Sequence, residues 1–394
     1  MSSAIFSRRS LLAAGAAGLI LSSAAQAQET VKIGMILPMT GPFASTGRQI
    51  EAAAKLYIAQ HGDRVAGKKI QLLVQDDGGV ADQTKRIAQE MIVNQKVAVL
   101  TGFGLTPLAF AVAPLATQAK VPTIVMAAAT SSITEKSPYI LRTSFTLPQA
   151  AVPLADWAAK EGIKTVVTVV ADYGPGIDAE TAFKNRFGAA GGQVTESIRV
   201  PVANPDFAPF LQRVKDAKPN AVFVFVPSGV GSAFMKQFKE RGLAEAGIKL
   251  IGTGDVTDDD ILNSMGDVAL GTITTHHYSA AHDSPENKAF VTAFKAANKD
   301  MRPNFMAAGG YDGIALIYQA LKATNGATGG DALLAAMKTA KWESPRGPVA
   351  IDPQTRELVQ NIYLREVKSV GGELYNVEFG KAEAVKDPAK SPAN

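Results

Sequence analysis

The sequence predicts an α/β protein made of two successive open units, each with a parallel sheet covered by helices. From Val31 onward, short runs of β-branched residues alternate with segments in which apolar residues recur at helical spacing. The runs are apolar throughout and bounded by Gly or Pro, which is typical of parallel strands buried on both faces. Alternating strands and helices favour parallel sheets with right-handed crossovers. The rhythm breaks near Arg142–Pro148 and then restarts, so we expect two units.

The first unit is predicted to hold strands and helices in strict alternation. Its strands are expected at Val31–Leu37, Ile70–Gln75, Val97–Leu100 and Thr123–Met126, and its helices at Ile50–Gln60, Gln83–Asn94 and Pro107–Ala119. The second unit repeats this order after the break. Its strands are expected at Thr165–Val170, Gln193–Val200, Ala221–Val226 and Lys249–Ile251, and its helices at Ile177–Phe187, Phe207–Lys215 and Ser232–Arg241.

The segment from residue 1 to residue 27 is predicted to be an export signal rather than part of the fold. Ser7–Leu12 contains a twin arginine, Leu11–Leu21 is apolar, and Ala25–Ala27 fits a cleavage site. The apolar run is too short and too rich in Ala and Gly for a membrane span of about 20 residues. We therefore expect a soluble periplasmic chain that begins near Gln28.

Composition narrows the classes of site and of partner. The chain has no Cys, which excludes disulfides, thiolate metal sites, a Cys nucleophile and the acylated Cys of a lipoprotein. The formal charge is +4, and loss of Arg8 and Arg9 with the signal leaves about +2. No segment concentrates Lys and Arg, so nucleic acid is not an expected partner. No cofactor is indicated, and a monomer is expected.

Ligands of open parallel sheets bind beyond the carboxyl ends of the strands, so the loops that follow the strands are candidate sites. The first such loop, Pro38–Arg48, has the glycines and the following helix of a phosphate cradle. Gly41 and Gly47 are one residue too far apart for that motif, and Arg48-Gln49 stands where Lys and Ser or Thr are required. Two later G-x-G sequences lack the third glycine of a dinucleotide site. No nucleotide site is therefore predicted.

Two neighbouring loops of the first unit instead favour an anion. Thr106-Pro107 offers a hydroxyl that can cap a helix and then Pro at the first helical position. A helix N-terminus of this kind presents unpaired N–H donors to a carboxylate. Ala127–Ser132 follows the next strand and combines small residues with hydroxyls. Plain helix capping without a ligand is the alternative interpretation of each loop.

Other polar clusters indicate neither a metal site nor a catalytic residue. His276 and His277 are adjacent, and adjacent residues of an extended segment point to opposite faces, which favours a polar loop or a crossover between domains over a metal site. Asp258–Asp260 are interpreted as negative charges near a helix N-terminus. Ser228 follows a strand but lacks the leading glycine of a nucleophile elbow.

The segment Met35–Gly47, which reads MILPMTGPFASTG, resembles the opening of the leucine/isoleucine/valine-type periplasmic binding proteins, the extracellular receptors of ABC importers. Further matching segments follow in the order of that family: Asp76-Asp77, Val121–Thr130, Arg142-Thr143, Asp172–Gly176, Asn204–Phe207 and Tyr311–Gly313. The resemblance covers essentially the whole mature chain. It implies the type I periplasmic-binding-protein fold, in which two α/β lobes joined by three crossovers close over a ligand. The family's topology assigns residues 28–146 and 274–346 to the first lobe and residues 147–273 and 347–394 to the second.

The resemblance also implies which residues bind the ligand. In the family a hydroxyl and backbone N–H groups hold the ligand carboxylate, and these correspond to Thr106, beside Pro107, and to Ala128 and Thr130. An aromatic side chain of the second lobe covers the ligand and corresponds to Tyr173.

Further site residues are expected on both sides of the cleft. Phe43, Ser45 and Thr46 are expected at the rim of the first lobe, and Ser228 lies in the second. The family uses a Glu to pair with the ammonium of its ligand, but Gly254 stands at that position here and Asp255 follows it.

This departure leaves two classes of ligand open. An ammonium buried without a carboxylate partner costs several kcal/mol. Either the ligand is an aromatic or other hydrophobic carboxylic acid without an ammonium, or Asp255 serves a neutral amino acid. The expected function is capture of this ligand for an ABC permease of the inner membrane. A ligand-sensing receptor for a membrane signalling partner is the alternative, and an exported α/β hydrolase with Ser228 as nucleophile is a more distant one.

Overall fold

The computed structural model describes residues 29–203 and 205–390, and the predicted export signal lies outside them. The strands are β1 Thr30–Leu37, β2 Arg64–Val65, β3 Lys68–Asp76, β4 Val99–Gly102, β5 Thr123–Val125, β6 Ile140–Arg142, β7 Thr165–Ala171, β8 Gln193–Val200, β9 Ala221–Phe225, β10 Lys249–Thr253, β11 Ile273–His276, β12 Lys341–Ser344, β13 Gly347–Ile351, β14 Leu358–Val370 and β15 Glu373–Val385. The α-helices are α1 Ala44–His61, α2 Ala81–Val93, α3 Thr106–Ala119, α4 Leu147–Lys160, α5 Gly174–Ala189, α6 Ala208–Ala217, α7 Gly231–Glu240, α8 Leu262–Met265, α9 Pro285–Ala297, α10 Phe305–Ala323 and α11 Gly330–Met337.

The first sheet has the strand order β2-β3-β1-β4-β5-β6. Its strands run parallel except for the short β2, which is antiparallel to β3. Every residue of β4, β5 and β6 is buried, because helices cover both faces of the sheet. The helices α1, α2, α3 and α10 pack against this sheet or against one another beside it. We call this sheet and these helices the first lobe.

The second sheet has the order β12-β13-β14-β11-β10-β9-β7-β8, with β15 paired to β14. The strands β8, β7, β9, β10 and β11 are parallel, whereas β14 is antiparallel to β11 and to β15. The helices α4–α8 lie along this sheet, which together with them is called the second lobe. The chain passes between the lobes three times: before β7, after β11 and before β12–β15.

The helix α10 packs closely on the rest of the first lobe at two glycines, one beside the end of β5 and one beside α1. A Cβ at Gly309 would lie 2.4 Å from Met126 O, and one at Gly310 would lie 2.7 Å from Ile50 O. Glycine at both positions therefore allows the backbone of α10 to lie against the backbone at Met126 and Ile50. This close packing places the start of α10 at the edge of the first sheet where the carboxyl ends of its strands lie.

The predicted fold class is confirmed, and most predicted elements are present with shifted ends. The helix α1 begins at Ala44, six residues before the predicted start, because Ala44 N already bonds to Gly41 O at 3.2 Å. Half of the predicted loop Pro38–Arg48 is therefore helical. The strand β4 begins two residues later than predicted. Within the described residues, no helix has the length and apolar character that crossing a membrane requires.

Candidate functional site

A cavity lies between the two lobes, where the carboxyl ends of β4, β5, β9 and β10 approach one another. Its empty volume, including the part open to solvent, is about 410 Å³. The residues that line it come from the loops after these strands and from the starts of the following helices: Phe43, Thr46, Gly104, Leu105, Thr106, Ala127, Ala128, Ala129, Tyr173, Pro175, Phe225, Pro227, Ser228, Asp255 and Met306.

The start of α3 forms one end of the cavity. Leu105 is the N-cap and Thr106 the first helical residue, so the prediction that the Thr106 hydroxyl caps the helix and that Pro107 takes the first position is wrong by one residue. The Thr106 hydroxyl instead bonds to the Thr130 hydroxyl, with 2.7 Å between the two Oγ1 atoms. This bond joins the loops after β4 and β5. Because α3 points its N-terminus at the cavity, its first N–H groups and its dipole favour a bound anion there.

Behind this end of the cavity lies the buried guanidinium of Arg142. It donates to Ala128 O and, over 2.6 Å, to Thr130 O, while Arg142 Nε donates to Glu357 Oε2 over 2.5 Å. Lys390 Nζ lies 2.6 Å from Glu357 Oε1. Arg142 binds the carbonyl oxygens of Ala128 and Thr130, and it therefore holds the loop that lines the cavity in one conformation. The burial of Arg142 and Glu357 makes their pair costly to break.

The rim of the first lobe contributes Phe43 and Thr46 to the cavity. Phe43 is the N-cap of α1, and its ring is 9% exposed. Ser45 does not line the cavity, since its hydroxyl donates to Asp260 Oδ2 of the second lobe. Of the three predicted rim residues, Phe43 and Thr46 therefore line the cavity, and Ser45 connects the two lobes.

The second lobe supplies an aromatic wall and a polar end. Tyr173 stacks with Phe225 at 6.1 Å between ring centroids and 25° between planes. Burial and the charge of Asp255 raise the pKa of Tyr173 above its ordinary value, so its hydroxyl stays protonated and can donate. The Ser228 hydroxyl is buried and has no hydrogen-bond partner among the described residues. Asp255 is 5% exposed, and its Oδ2 accepts a bond of 3.0 Å from Thr253 Oγ1.

Gly254, to which the family resemblance assigns the Glu position, does not line the cavity. A Cβ built at Gly254 would lie 1.7 Å from Arg365 Nη2 and 2.8 Å from His276 Cβ. The Cα–H direction of Gly254 therefore points at the buried guanidinium of Arg365 and away from the ligand space. Asp255 is the residue of this loop whose side chain reaches the cavity.

The two adjacent histidines are buried at the crossover after β11. Their ring centroids lie 4.5 Å apart, so the expectation that they point to opposite faces is wrong, since the regular strand ends at His276. Burial lowers the pKa of His276 to about 4 and that of His277 well below its usual range, so both are neutral at pH 7. In the part of the chain that the structure describes, no group of three or more His, Asp or Glu side chains could hold a metal ion.

The Asp258–Asp260 segment connects the lobes rather than serving a helix N-terminus as predicted. Asn304 of the first lobe, the N-cap of α10, donates to Asp258 Oδ2 over 2.9 Å. Burial and the neighbouring charge of Asp260 raise the pKa of Asp258 to about 7. Asp258 and Asp260 face the first lobe because Asn304 and Ser45 donate hydrogen bonds to them. These two partners are distant in the sequence, so the spacing of the Asp residues does not predict them.

Further contacts close the cleft around the cavity. Ser131 N of the first lobe donates to Asp178 Oδ2 of α5 over 2.9 Å. A Cβ at Gly229 would lie 2.4 Å from Pro42 O, so the two lobes touch at the backbone there. The structure is therefore the closed arrangement of the two lobes.

The cavity brings together seven of the predicted site residues, namely Phe43, Thr46, Thr106, Ala128, Tyr173, Ser228 and Asp255. Ser45, Pro107, Thr130 and Gly254 lie next to lining residues without lining the cavity. Of the other lining residues, Phe225 and Met306 lie outside the loops that follow the predicted strands. Phe225 ends a wholly buried strand, so its sequence pattern is that of a core residue. Met306 lies in the first turn of α10, and the N-cap Asn304 is the sequence signal that could have placed a helix start at the cleft.

Comparisons with known proteins agree with this architecture. A family model described as periplasmic binding protein matches residues 30–372. The chain is 45% identical over 372 residues to Leu/Ile/Val-binding protein homolog 6 of Brucella abortus, an alignment that covers 93% of this chain and 95% of the relative.

Solved structures extend the likeness to three dimensions. A solute binding protein of an ABC transporter from Rhodopseudomonas palustris BisB5, in complex with 3,4-dihydroxybenzoic acid, is 65% identical with a TM-score of 0.90, covering 92% of this chain and 99% of that one. A solute binding protein from R. palustris in complex with 4-hydroxybenzoate is 44% identical with a TM-score of 0.89 and the same coverage. Another from R. palustris, in complex with benzoate, is 33% identical with a TM-score of 0.84, covering 91% and 98%. The predicted resemblance is thus confirmed, and the chain belongs to the periplasmic binding protein family, among the solute-binding proteins of ABC transporters.

Proposed function

We propose that this protein captures a small aromatic monocarboxylic acid in the cavity between its lobes and delivers it to an ABC permease of the inner membrane. The observation that carries the proposal is a closed cavity with Phe43, Tyr173 and Phe225 around it and the N-terminus of α3 at one end. We further propose, as the family's topology implies, that the chain crosses between the lobes near residues 146, 273 and 346, with β11 and β12 at the second and third crossovers pairing into the second sheet. We also propose that the protein acts in the periplasm as a monomer.

The carboxylate of the ligand would bind at the start of α3. Thr106 and the Ala127–Ala129 loop line this end, and the buried Arg142, paired with Glu357, holds the loop from behind. An anion there gains from the helix dipole and from backbone N–H donors. Similar proteins in complex with benzoate and hydroxybenzoates are consistent with a ring that occupies the rest of the cavity.

A neutral amino acid is the second candidate ligand, and Asp255 is the observation that favours it. The carboxylate of Asp255 lines the cavity and can pair with the ammonium of an amino acid. A relative of this chain is named as a Leu/Ile/Val-binding protein homolog. The guanidinium of Arg365 opposes this, because it lies directly behind Gly254, where the family's own carboxylate would project. A second cation in this region is less favourable than a neutral group.

The hydrolase alternative has little support, because nucleophilic catalysis requires a base within hydrogen-bond reach of the nucleophile. The Ser228 hydroxyl has no such partner among the residues described. Binding and release, without a covalent step, are therefore what the cavity is suited to perform.

The experiment is a thermal-shift and calorimetric comparison of benzoate and 4-hydroxybenzoate with leucine and valine. A ligand at 100 times its Kd stabilises the protein by about 2.7 kcal/mol, which raises Tm by a few degrees. We expect the aromatic acids to raise Tm and the amino acids to have no effect. Stabilisation by leucine or valine and by neither aromatic acid would refute the proposal.

A matched pair of variants on α3 tests the carboxylate end. Thr106→Val removes a hydroxyl at the cavity and should weaken benzoate binding roughly 10- to 100-fold, since hydrogen bonds to charged groups contribute about 1.5–3 kcal/mol. Thr117→Val removes a hydroxyl at the far end of the same helix, where it bonds to Ser137, and should leave the Kd unchanged. Equal effects of the two variants would place the carboxylate elsewhere.

A further inference from the structure

Asp255, Ser228 and Tyr173 supply the polar groups that the second lobe contributes to the cavity. Asp255 lies in the 3-10 turn Gly254–Thr257 that follows β10, so its position is fixed by the sheet. The Thr253 hydroxyl holds its Oδ2 at 3.0 Å. An ionised carboxylate has about four acceptor sites, so one bond leaves capacity for a ligand donor.

Among the described residues, no cationic side chain forms a hydrogen bond to this carboxylate. His276 Nε2 lies 3.6 Å from Asp255 Oδ2, beyond hydrogen-bond distance, and His276 is neutral because burial lowers its pKa to about 4. The guanidinium of Arg365 interacts with Asp255 through its charge alone, because its hydrogen bonds go to Thr274 Oγ1 at 3.1 Å and to Tyr278 O. Asp255 is therefore a buried acceptor that requires a donor from the ligand.

Ser228 supplies an independent observation. Its hydroxyl lines the cavity, is more than nine-tenths buried and has no hydrogen-bond partner among the described residues. A buried hydroxyl without a partner costs free energy, which a ligand group that can both donate and accept would recover. A hydroxyl is such a group, whereas an ammonium can only donate.

We propose that Asp255 determines specificity by accepting a hydrogen bond from a ring hydroxyl of the ligand, with Ser228 as the second partner of that hydroxyl. The preferred substrate class is then the hydroxylated benzoic acids, rather than benzoate or amino acids. This inference rests on the proposed function, because it assumes that an aromatic carboxylate occupies the cavity. A site built to bind a hydroxyl rejects the analogue that lacks it, since its buried polar groups are left unpaired.

The test is isothermal titration calorimetry of the mature chain with 4-hydroxybenzoate and with benzoate. The wild-type protein should bind 4-hydroxybenzoate at least roughly 100-fold more tightly than benzoate. Asp255→Ala should reduce this ratio to within roughly 10-fold, by weakening binding of the hydroxylated acid and not that of benzoate. The control, Asp172→Ala, changes an exposed Asp of the neighbouring loop that pairs with Arg199, and should keep the wild-type ratio.

The outcomes separate this inference from the proposed function. Equal wild-type affinities for the two acids, or an Asp255→Ala variant that weakens both by the same factor, would overturn the role of Asp255 alone. Failure of both acids to bind while leucine binds would overturn the proposed function itself. If Asp255→Ala does not fold, as judged by circular dichroism, Asp255→Asn retains the shape of the side chain. It should shift the ratio in the same direction, and an unchanged ratio in that variant would also overturn the inference.

Discussion

A methyl group at Gly229 should act as a wedge between the lobes. Gly229 belongs to the second lobe, and the Cβ of Gly229→Ala would lie 2.4 Å from Pro42 O of the first, whereas ordinary contacts are 3.4–4 Å. The lobes must therefore part by about 1 Å at this point for closure to occur. Overpacking of this kind costs about 1–3 kcal/mol, which corresponds to a rise in Kd of roughly 5- to 150-fold.

The cost should fall on closure and not on folding, because opening the cleft removes the contact. We expect the Tm of ligand-free Gly229→Ala to match that of the wild type, while calorimetry with 4-hydroxybenzoate shows the higher Kd. The control is Gly188→Ala on α5, where the added Cβ meets no atom within 4 Å and affinity should not change. An unchanged Kd in Gly229→Ala, or a lower ligand-free Tm, would refute the reasoning.

Two further variants test the buried charges. Arg142→Gln leaves Glu357 with Lys390 as its remaining ion-pair partner and removes the donor to Ala128 O and Thr130 O. It should lower the free energy of unfolding by roughly 3–5 kcal/mol in urea titrations and weaken benzoate binding, because the loop carbonyls are released. Asp258→Asn tests a raised pKa. Because the pKa of Asp258 rises from 3.8 to about 7 on folding, the native state holds a proton that the unfolded state gives up. This stabilisation is complete below about pH 4 and is lost as pH rises through 7, so the variant should gain stability over the wild type by up to roughly 4 kcal/mol between pH 4 and pH 8.

Each of these variants has a result that contradicts its premise. A loss below about 1 kcal/mol in Arg142→Gln would mean that the pair with Glu357 is not the buried support of the loop. A stability difference between wild type and Asp258→Asn that does not change with pH would mean that Asp258 stays ionised in the fold. Exposed Asp267→Asn serves as the control for the second experiment and should follow the wild type throughout.

Sequence periodicity was enough to predict four parallel strands of each sheet and the loops that surround the cavity, but not β2, β6 or β11–β15. Parallel strands bring their carboxyl ends to one edge, so Thr106 and Ala128 could be placed together without knowledge of the packing. Phe225 could not be assigned in this way, because a residue at the end of a fully buried strand has the same pattern whether it faces core or ligand. Met306 required knowledge of which helix returns across the cleft, which depends on the close packing at Gly309 and Gly310.

Sequence periodicity also does not predict the hydrogen-bond partners of the polar side chains at the site. Thr106 has the sequence pattern of a cap, yet Thr130 competes for its hydroxyl, and local spacing contains no information about that residue. The same holds for Asp258, whose partner Asn304 is 46 residues away in the chain. Tertiary donors thus changed the roles of residues whose positions were predicted well.

The contact between Gly254 and Arg365 has a consequence for how ligand preference can evolve in this family. A Glu at position 254 is the change that would bring this loop to the amino-acid type of the family, but its Cβ would overlap the guanidinium of Arg365. Replacing Arg365 first would remove its bonds to Tyr278 O and Thr274 Oγ1 and leave nearby carboxylates such as Asp259 with less positive charge. Each single substitution is therefore unfavourable without the other. Under the proposed function, a change of ligand class by this route requires two substitutions at positions that do not line the cavity.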